Sequence, residues 1–260
     1  MTLVFIVWAG DSPYAGFPDV VECAQRRANC PIWVISDRPA PGGVNYATMS
    51  EFPAGDEIRK KYSGHTAPWL AMSLARWFVL RDFIRKYKPS FPIFCADWDV
   101  MIFRDLEEAY SPFADCDYTV SMLGDIDSAA YGVNRLEPLE AFCDFVEKMA
   151  DDNDPRAEML DDMFAWQLNR GTGDWKVGNL FETHGASVFD HNIHCGDGRF
   201  VMAGPAKKVT FREGTPYFTG LDGAPILANT IHCWGTYKTR TAELLRKTRP
   251  RKLREPSTWL

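Results

Sequence analysis

Residues 93–103 read IFCADWDVMIF, and this stretch decides the fold. A short, continuous apolar run of this kind is typical of a buried strand. Asp97 and Asp99 stand one residue apart where the run ends, and in an extended chain such residues point to the same side. Ligands of open α/β sheets bind at the carboxyl ends of the strands. The sequence therefore predicts two convergent carboxylates at a ligand-binding edge.

The paired carboxylates predict a metal site. Two such groups repel each other strongly, and a hard divalent cation relieves the repulsion because it prefers oxygen ligands. The expected ion is Mn²⁺ or Mg²⁺, which could then hold a second anionic group such as a diphosphate. A strand that simply runs into an acidic turn is the alternative. The apolar residues on both sides of Asp97 and Asp99 favour the metal site.

Strands and helices alternate outward from this stretch. Continuous apolar runs at residues 3–9 and 31–36 are typical of buried parallel strands. Helical patterns at residues 20–29 and 70–87 separate these runs from each other and from the strand at 93–96. This alternation predicts an α/β fold with a Rossmann-like, mostly parallel central sheet and helices on both faces.

The second half of the chain is less regular. Further helices are predicted at residues 138–149 and 158–169. After Arg170 the pattern loosens into glycine-rich turns and short strands, which predicts an irregular C-terminal third. No repeat, low-complexity segment or linker divides the chain, so a single domain is expected over residues 1–240, followed by a basic tail at 241–260.

Composition places the chain among ordinary globular proteins. Its 260 residues can bury a full core, and they are 46% hydrophobic and 25% charged. The seven cysteines are odd in number and form no C-x-x-C pair, which favours free thiols in a reducing compartment. The N-terminal sequence MTLVFIVWAGD has no basic n-region and is predicted to be a strand, not a signal peptide. A cytoplasmic protein is therefore expected.

The charge is unevenly distributed. The net charge is −6, yet residues 238–254 carry eight basic side chains and one acid. Such a segment indicates either an anionic partner, for example the inner face of a membrane, or an ordinary solvated helix and tail. Both alternatives remain open from the sequence. The acidic body argues against nucleic-acid binding.

Three further sets of residues could carry chemistry. In the loop at residues 9–14, AGDSPY, Asp11 could accept a hydrogen bond from a ring N–H and Tyr14 could stack on a base. Arg76 lies among apolar residues of a helix and must be paired, structurally or near the aspartates. Asp161 and Asp162 suit either a helix start or a carboxylate directed at a reacting sugar.

Residues 231–238, IHCWGTYK, are the second strong signal. A neutral imidazole from His232 suits a Mn²⁺ site that already holds carboxylates. Gly235 permits close approach of the backbone, and Lys238 could neutralise a phosphate. His191, His194, Cys195 and Asp197 are also residue types that can bind a metal ion. The glycines at 196 and 198 indicate a turn, however, and favour a polar loop near an acceptor.

These motifs, taken in order, resemble the retaining, metal-dependent glycosyltransferases of family 8, the glycogenin and bacterial galactosyltransferase type, which have the GT-A fold. The loop at residues 9–14 resembles the family's A-x-D-x-N-Y loop, with Pro13 in place of Asn. The resemblance assigns Ala9, Asp11 and Tyr14 to the donor nucleotide, the last two holding uracil.

The remaining motifs carry the resemblance into the rest of the site. Asp97-Trp98-Asp99 matches the D-x-D motif and 231–238 matches I-H-x-x-G-x-x-K, although Thr239 and Arg240 replace the usual P-W. The resemblance makes Asp97, Asp99 and His232 the metal ligands and assigns the donor diphosphate to Gly235 and Lys238. The other residues that it places at the donor site are Trp98, Arg76 and Asp127, where the family has an Asn. Asp161-Asp162 falls at the family's D-Q pair, with Asp162 in place of Gln, and these two are the expected catalytic residues: Asp162 is a candidate nucleophile and Asp161 would orient the sugar.

The function implied is transfer of a hexose from a nucleotide sugar, most simply a UDP-sugar, to a glycan, lipid-linked or other hydroxyl acceptor with retention. Residues 1–110 would form the nucleotide-binding half and 111–240 the acceptor and catalytic half. One alternative is a sugar-nucleotide nucleotidyltransferase, which would usually carry a glycine-rich phosphate loop after the first strand. Another is a nucleotide- or sugar-binding module without catalysis.

Overall fold

The computed structural model describes most of the chain, and for residues 3–8, 128 and 129 it describes the backbone alone. The described ranges are 3–8, 15–37, 42–64, 66–124, 126–152 and 154–248. Within these ranges, no helix combines the length and the apolar character needed to cross a membrane.

The described segments contain helices and strands in alternation. The α-helices are α1 (Phe17–Arg27), α2 (Pro53–Tyr62), α3 (Pro68–Tyr87), α4 (Leu106–Tyr110), α5 (Leu136–Asp151), α6 (Asp162–Asn169) and α7 (Thr241–Lys247). The strands are β1 (Leu3–Trp8), β2 (Ile32–Ser36), β3 (Asn45–Ala47), β4 (Ile93–Asp97), β5 (Val100–Ile102), β6 (Tyr118–Leu123), β7 (Ile126–Val133), β8 (Val177–Asn179), β9 (Ser187–Val188), β10 (Met202–Ala203), β11 (Ala206–Lys207), β12 (Val209–Arg212), β13 (Thr215–Thr219), β14 (Pro225–Ala228) and β15 (Thr230–His232).

A seven-stranded sheet forms the centre, in the order β3-β2-β1-β4-β7-β6-β8. Strands β3, β2, β1 and β4 are parallel to one another, and β7 runs antiparallel to both β4 and β6. The sheet has a buried side chain on each face: Phe94 belongs to one core cluster, with α1, and Cys95 to the other, with α3 and α5. The predicted α/β fold with a mostly parallel sheet and helices on both faces is confirmed.

Local signals explain where the helices begin and end. Helix α3 starts at Pro68, which suits a first helical position, and stops before Lys88, whose left-handed φ of 47° ends the helix. The expected helix at 158–169 was wrong at its start, because Pro155–Met159 is a 3₁₀ turn. Helix α6 begins after Asp161, whose carboxylate accepts a hydrogen bond of 2.7 Å from the N–H of Phe164.

The C-terminal third consists of short strands, as predicted from its loosened pattern. Strands β12, β13, β14 and β9 form a second sheet. Strand β15 pairs antiparallel with β5, so that His232 lies opposite Val100. In helix α7, Leu244 and Leu245 are buried in the core that also contains α1. Residues 241–247 thus pack on the folded body, and residues 249–260 lie outside the described part of the chain.

The cysteines were expected to be free thiols, and they are. All seven are unpaired in the structure. Burial raises the pKa of Cys23 to about 12, so this thiol stays protonated at neutral pH.

Candidate active site

The two acids of residues 93–103 lie at the carboxyl end of β4. Asp97 is the last residue of that strand, and Trp98 and Asp99 form the turn that leads into β5. The chain thus turns between the two acids and leaves the central sheet. The two carboxylates nevertheless converge, with Asp99 buried and Asp97 partly exposed.

Strand pairing carries a histidine to the same place. Because β15 lies beside β5, the N–H of Cys233 donates to the carbonyl oxygen of Asp99 at 2.8 Å. The Nε2 atom of His232 then lies 3.4 Å from Oδ1 of Asp99. One ligand atom each from Asp97, Asp99 and His232 lie within 4.8 Å of one another. Among the described residues this is the one such group of three metal-ligating side chains.

The hydrogen bonds of His232 define its tautomer. Its Nδ1 atom lies 2.8 Å from the carbonyl oxygen of His191, which can only accept, so Nδ1 carries the hydrogen. In the neutral ring, Nε2 then has no hydrogen and carries a lone pair. This lone pair faces the carboxylate of Asp99, which is also a hydrogen-bond acceptor. Only a proton on Nε2 or a cation between the two groups makes this arrangement favourable. Two carboxylates and an imidazole so oriented fit a divalent metal ion.

The charged groups around Asp97, Asp99 and His232 shift the pKa values of these three side chains. Burial by itself raises the pKa of Asp99, but the hydrogen bond with His232 and the ammonium of Lys238 lower it to about 2. For His232, burial lowers the pKa, yet the contact with Asp99 outweighs it and raises the value above its ordinary one. Burial also raises the pKa of Asp97, against the opposing effect of Arg76.

Lys238 places a positive charge beside Asp99. Its Nζ lies 3.0 Å from Oδ2 of Asp99 and 4.0 Å from the ring centroid of Trp98. Gly235 has a left-handed φ of 61°, which glycine adopts at little cost, and it begins the 3₁₀ turn that carries Lys238. Lys238, named from the I-H-x-x-G-x-x-K pattern, thus reaches Asp99.

Arg76 links Asp97, one of the three candidate metal ligands, to Asp162 at the start of α6. Its guanidinium forms ion pairs with both Asp97 and Asp162. Asp162 is buried, and its Oδ2 also accepts a hydrogen bond of 3.1 Å from the indole N–H of Trp77. The backbone N–H of Asp162 donates to the hydroxyl of Ser73 at 3.2 Å. Helix α3 therefore fixes the position of Asp162 relative to Asp97.

Asp161 and Asp127 lie around the same cleft. Asp161 caps α6, and burial raises the pKa of its carboxyl. Asp127 is fully buried, and its Oδ1 lies 3.1 Å from Nη1 of Arg170. Both acids line the cleft that contains Asp97 and Asp99. The structure thus gathers the predicted acids from three separate stretches of sequence.

The cleft has a volume of about 650 Å³, a polar floor and an apolar rim. The aspartates, His232, Lys238 and Arg76 are lining residues that are buried or half-buried, and together they form the floor of the cleft. Large apolar side chains line the mouth and remain exposed, among them Trp69 at 68% and Trp234 at 55%. Sequence reasoning missed both tryptophans, because nothing in their local patterns distinguishes an exposed indole from a buried one.

Some predicted residues are not gathered here. Ala9, Asp11 and Tyr14 lie outside the described residues, so the nucleotide loop stays a prediction. His191 lines the cleft, but its Nδ1 lies 3.0 Å from the carbonyl oxygen of Ser121, and no second metal-like cluster occurs in the described ranges. Sequence reasoning also missed Ser73 and Trp77. Ser73 lies three residues before Arg76 and four before Trp77 on α3, a spacing that is compatible with a shared contact.

Comparisons with known proteins are distant. No protein-family model matches the chain, and no curated protein sequence matches it. Among solved structures, the glycosyltransferase GlyE of Streptococcus pneumoniae TIGR4 is similar with a TM-score of 0.41 and 15% identity, over 69% of this chain and 44% of that one. The chain therefore spans less than half the length of GlyE.

Two further solved structures are similar at the same level. Mouse xyloside xylosyltransferase 1, apo form, has a TM-score of 0.47 and 12% identity over 72% of this chain and 87% of that one. The PaToxG glycosyltransferase has a TM-score of 0.43 and 7% identity over 65% and 68%. Similarity this low assigns no activity to the chain, so function has to be inferred from the site itself.

Proposed function

We propose that this protein is a metal-dependent glycosyltransferase with the GT-A fold. It would move a hexose from a UDP-sugar to a hydroxyl of a glycan or lipid-linked acceptor, with retention at the anomeric carbon. The observation that carries the proposal is the convergence of Asp97, Asp99 and His232 within 4.8 Å at the floor of the cleft. Residues 1–110 form the nucleotide-binding half in this proposal, and 111–240 the acceptor and catalytic half.

The donor set suits one kind of ion. Asp97, Asp99 and His232 would hold Mn²⁺ or Mg²⁺, hard or borderline cations that accept carboxylate and imidazole ligands. When bound, the metal supplies positive charge against the diphosphate leaving group.

The chain's own residues do the remaining work. Lys238 lies beside Asp99 and adds a second positive charge for the diphosphate. Arg76, paired with both Asp97 and Asp162, fixes the distance between the diphosphate end and the sugar end of the site. Binding and orienting the donor in this way removes much of the entropic barrier to transfer.

The shape of the cleft suits two substrates. A volume of about 650 Å³ lies within the usual range for small-molecule sites. The charged floor suits the donor diphosphate, whereas the exposed rings of Trp69 and Trp234 suit the apolar face of an acceptor sugar or the start of a lipid chain.

Catalysis is tested by a screen of nucleotide sugars. The protein is expected to release UDP from at least one UDP-sugar when Mn²⁺ is present, and to lose this activity in EDTA. Coupled detection of UDP, with and without candidate acceptors, measures the rate. A protein that binds a nucleotide sugar but never releases UDP would be a binding module, and the proposed enzyme activity would be rejected.

The nucleotide loop gives a separate prediction. Tyr14→Ala is expected to weaken UDP binding by about 1–3 kcal/mol, the range for stacking of a base on an aromatic ring. Tyr14→Phe keeps the ring and should bind UDP like the parent protein, which makes it the matched control. Calorimetric titration measures both. If Tyr14→Ala binds UDP as tightly as the parent, the loop has only a structural role.

The basic tail gives a membrane prediction. Because Leu244 and Leu245 are part of the core, the truncation has to follow Thr248. Residues 249–260 contain four basic side chains and one acid, and each basic residue near an anionic surface contributes about 1 kcal/mol. Removing them is expected to abolish co-sedimentation with anionic vesicles and to spare activity on an unanchored acceptor. Equal sedimentation of both proteins would dismiss the membrane contact.

A further inference from the structure

A fully buried ion pair lies behind the candidate metal cluster. Lys207, on β11, and Asp190 are both completely inaccessible, with Nζ 2.5 Å from Oδ1. The ammonium also lies 4.9 Å, 5.0 Å and 5.4 Å from the ring centroids of Phe181, Phe200 and Phe218. Burying two charges costs several kcal/mol of desolvation each, so such a pair is often no more stabilising than apolar residues. What the pair holds in place is therefore informative.

Lys207 binds one short segment, residues 190–193. Besides Asp190, its ammonium donates to the carbonyl oxygen of Asn192 at 2.6 Å. Its backbone N–H donates to the carbonyl oxygen of Ile193 at 2.8 Å. A single residue thus contacts this segment at three points.

The 190–193 segment in turn surrounds His232. Oδ2 of Asp190 accepts from the backbone N–H of His232 at 3.1 Å, and the carbonyl oxygen of His191 accepts from Nδ1 at 2.8 Å. The N–H of Ile193 donates to the carbonyl oxygen of His232 at 3.3 Å. The segment therefore fixes both the backbone of His232 and the orientation of its ring.

We propose that Lys207 is a positioning residue for the metal site, acting through the 190–193 segment to direct Nε2 of His232 at Asp97 and Asp99. The inference rests on the proposed function. Lys207 is absent from the lining of the cleft, so it acts without touching the substrate. Partners that orient a metal-ligating histidine typically change metal affinity 10–100-fold when they are removed.

The proposal is tested with three variants. Lys207→Met removes the ammonium, and Lys207→Met/Asp190→Asn removes both charges while keeping an oxygen for the N–H of His232. Val146→Ala, in the core on the opposite face of the sheet, is a destabilised control. Mn²⁺ alone is titrated into each folded protein and followed by electron paramagnetic resonance. The Nδ1–H of the His232 ring is followed by ¹⁵N NMR in the metal-free protein.

Lys207→Met is expected to weaken Mn²⁺ binding about 10–100-fold and to shift the Nδ1–H signal. The double variant should regain thermal stability, because no unpaired charge is left buried, but not Mn²⁺ affinity. Val146→Ala should lose stability and keep both the affinity and the signal.

A double variant that is folded, binds Mn²⁺ like the parent and keeps the parent's Nδ1–H signal would overturn the positioning role. Failure of the parent protein to bind Mn²⁺ would count against the proposed function instead. In that case the Nδ1–H signal still tests the role of Lys207, since an unchanged signal in Lys207→Met would reject it.

Discussion

Asp99→Asn and His232→Ala are each expected to abolish Mn²⁺-dependent UDP binding while the protein stays folded. Asp99 contacts both His232 and Lys238, so it joins the metal cluster to the residue proposed to meet the diphosphate. An asparagine keeps the shape but lacks the negative charge that a divalent cation needs, and alanine removes the imidazole altogether. Calorimetric titration of UDP with and without Mn²⁺ measures the effect.

The matched control is Asp151→Asn. It makes the same carboxylate-to-amide change at an exposed ion pair with Lys61, 2.9 Å long, outside the cleft. This variant should bind UDP like the parent, since an exposed pair of this kind contributes little to stability. Circular dichroism and thermal unfolding check that all the variants are folded. Unchanged metal-dependent affinity in both Asp99→Asn and His232→Ala would reject the assigned metal ligands.

Asp162→Asn is expected to lower turnover by about 10²–10⁴-fold or more, the range over which a positioned acid or base contributes. The carboxylate of Asp162 could attack the anomeric carbon of the donor and form a glycosyl ester as the bond to the diphosphate breaks and UDP leaves, whereas an amide could not. The asparagine still offers an oxygen to the indole N–H of Trp77, which the structure places 3.1 Å from Oδ2. UDP and Mn²⁺ binding should therefore be retained, and rapid-quench kinetics combined with calorimetry separate the two effects.

Other outcomes assign Asp162 a different role. Loss of UDP and Mn²⁺ affinity in Asp162→Asn would mean that it acts through Arg76 and Asp97, with which it shares an ion-pair network. Asp161→Asn keeps a helix-capping oxygen and should keep the fold. NMR of the product's anomeric proton reports stereochemistry. An inverted product would reject the retaining assignment and make Asp161 or Asp162 a candidate general base.

Local sequence signals located the centre of the site. The apolar run before Asp97 is typical of a buried strand, and the end of that strand fixed where the acids lie relative to the sheet. Arg76 had to be paired because it lies among apolar residues, and the structure pairs it twice. His232, in contrast, was found by its motif alone. What brings it to Asp99 is the pairing of β15 with β5, a long-range contact that local patterns do not encode.

The elements that sequence reasoning missed lacked a local signal or carried a misleading one. Helix α2 was not predicted because it contains Gly55 and several charged residues, and its only large buried side chains are those of Ile58 and Tyr62. The late start of α6 depends on the capping geometry of Asp161. Nothing in the sequence next to Lys207 indicates that a lysine there is buried, and its burial depends on rings contributed by distant segments.

The central claim is that Asp97, Asp99 and His232 hold a divalent metal ion beside the diphosphate of a bound nucleotide. Crystals grown with Mn²⁺ and UDP, measured near the manganese absorption edge, test it most directly. We expect one anomalous peak in the cleft within coordination distance of all three side chains, with the UDP phosphates beside Lys238. A cleft that holds UDP without manganese, or manganese bound away from these three residues, would contradict the account.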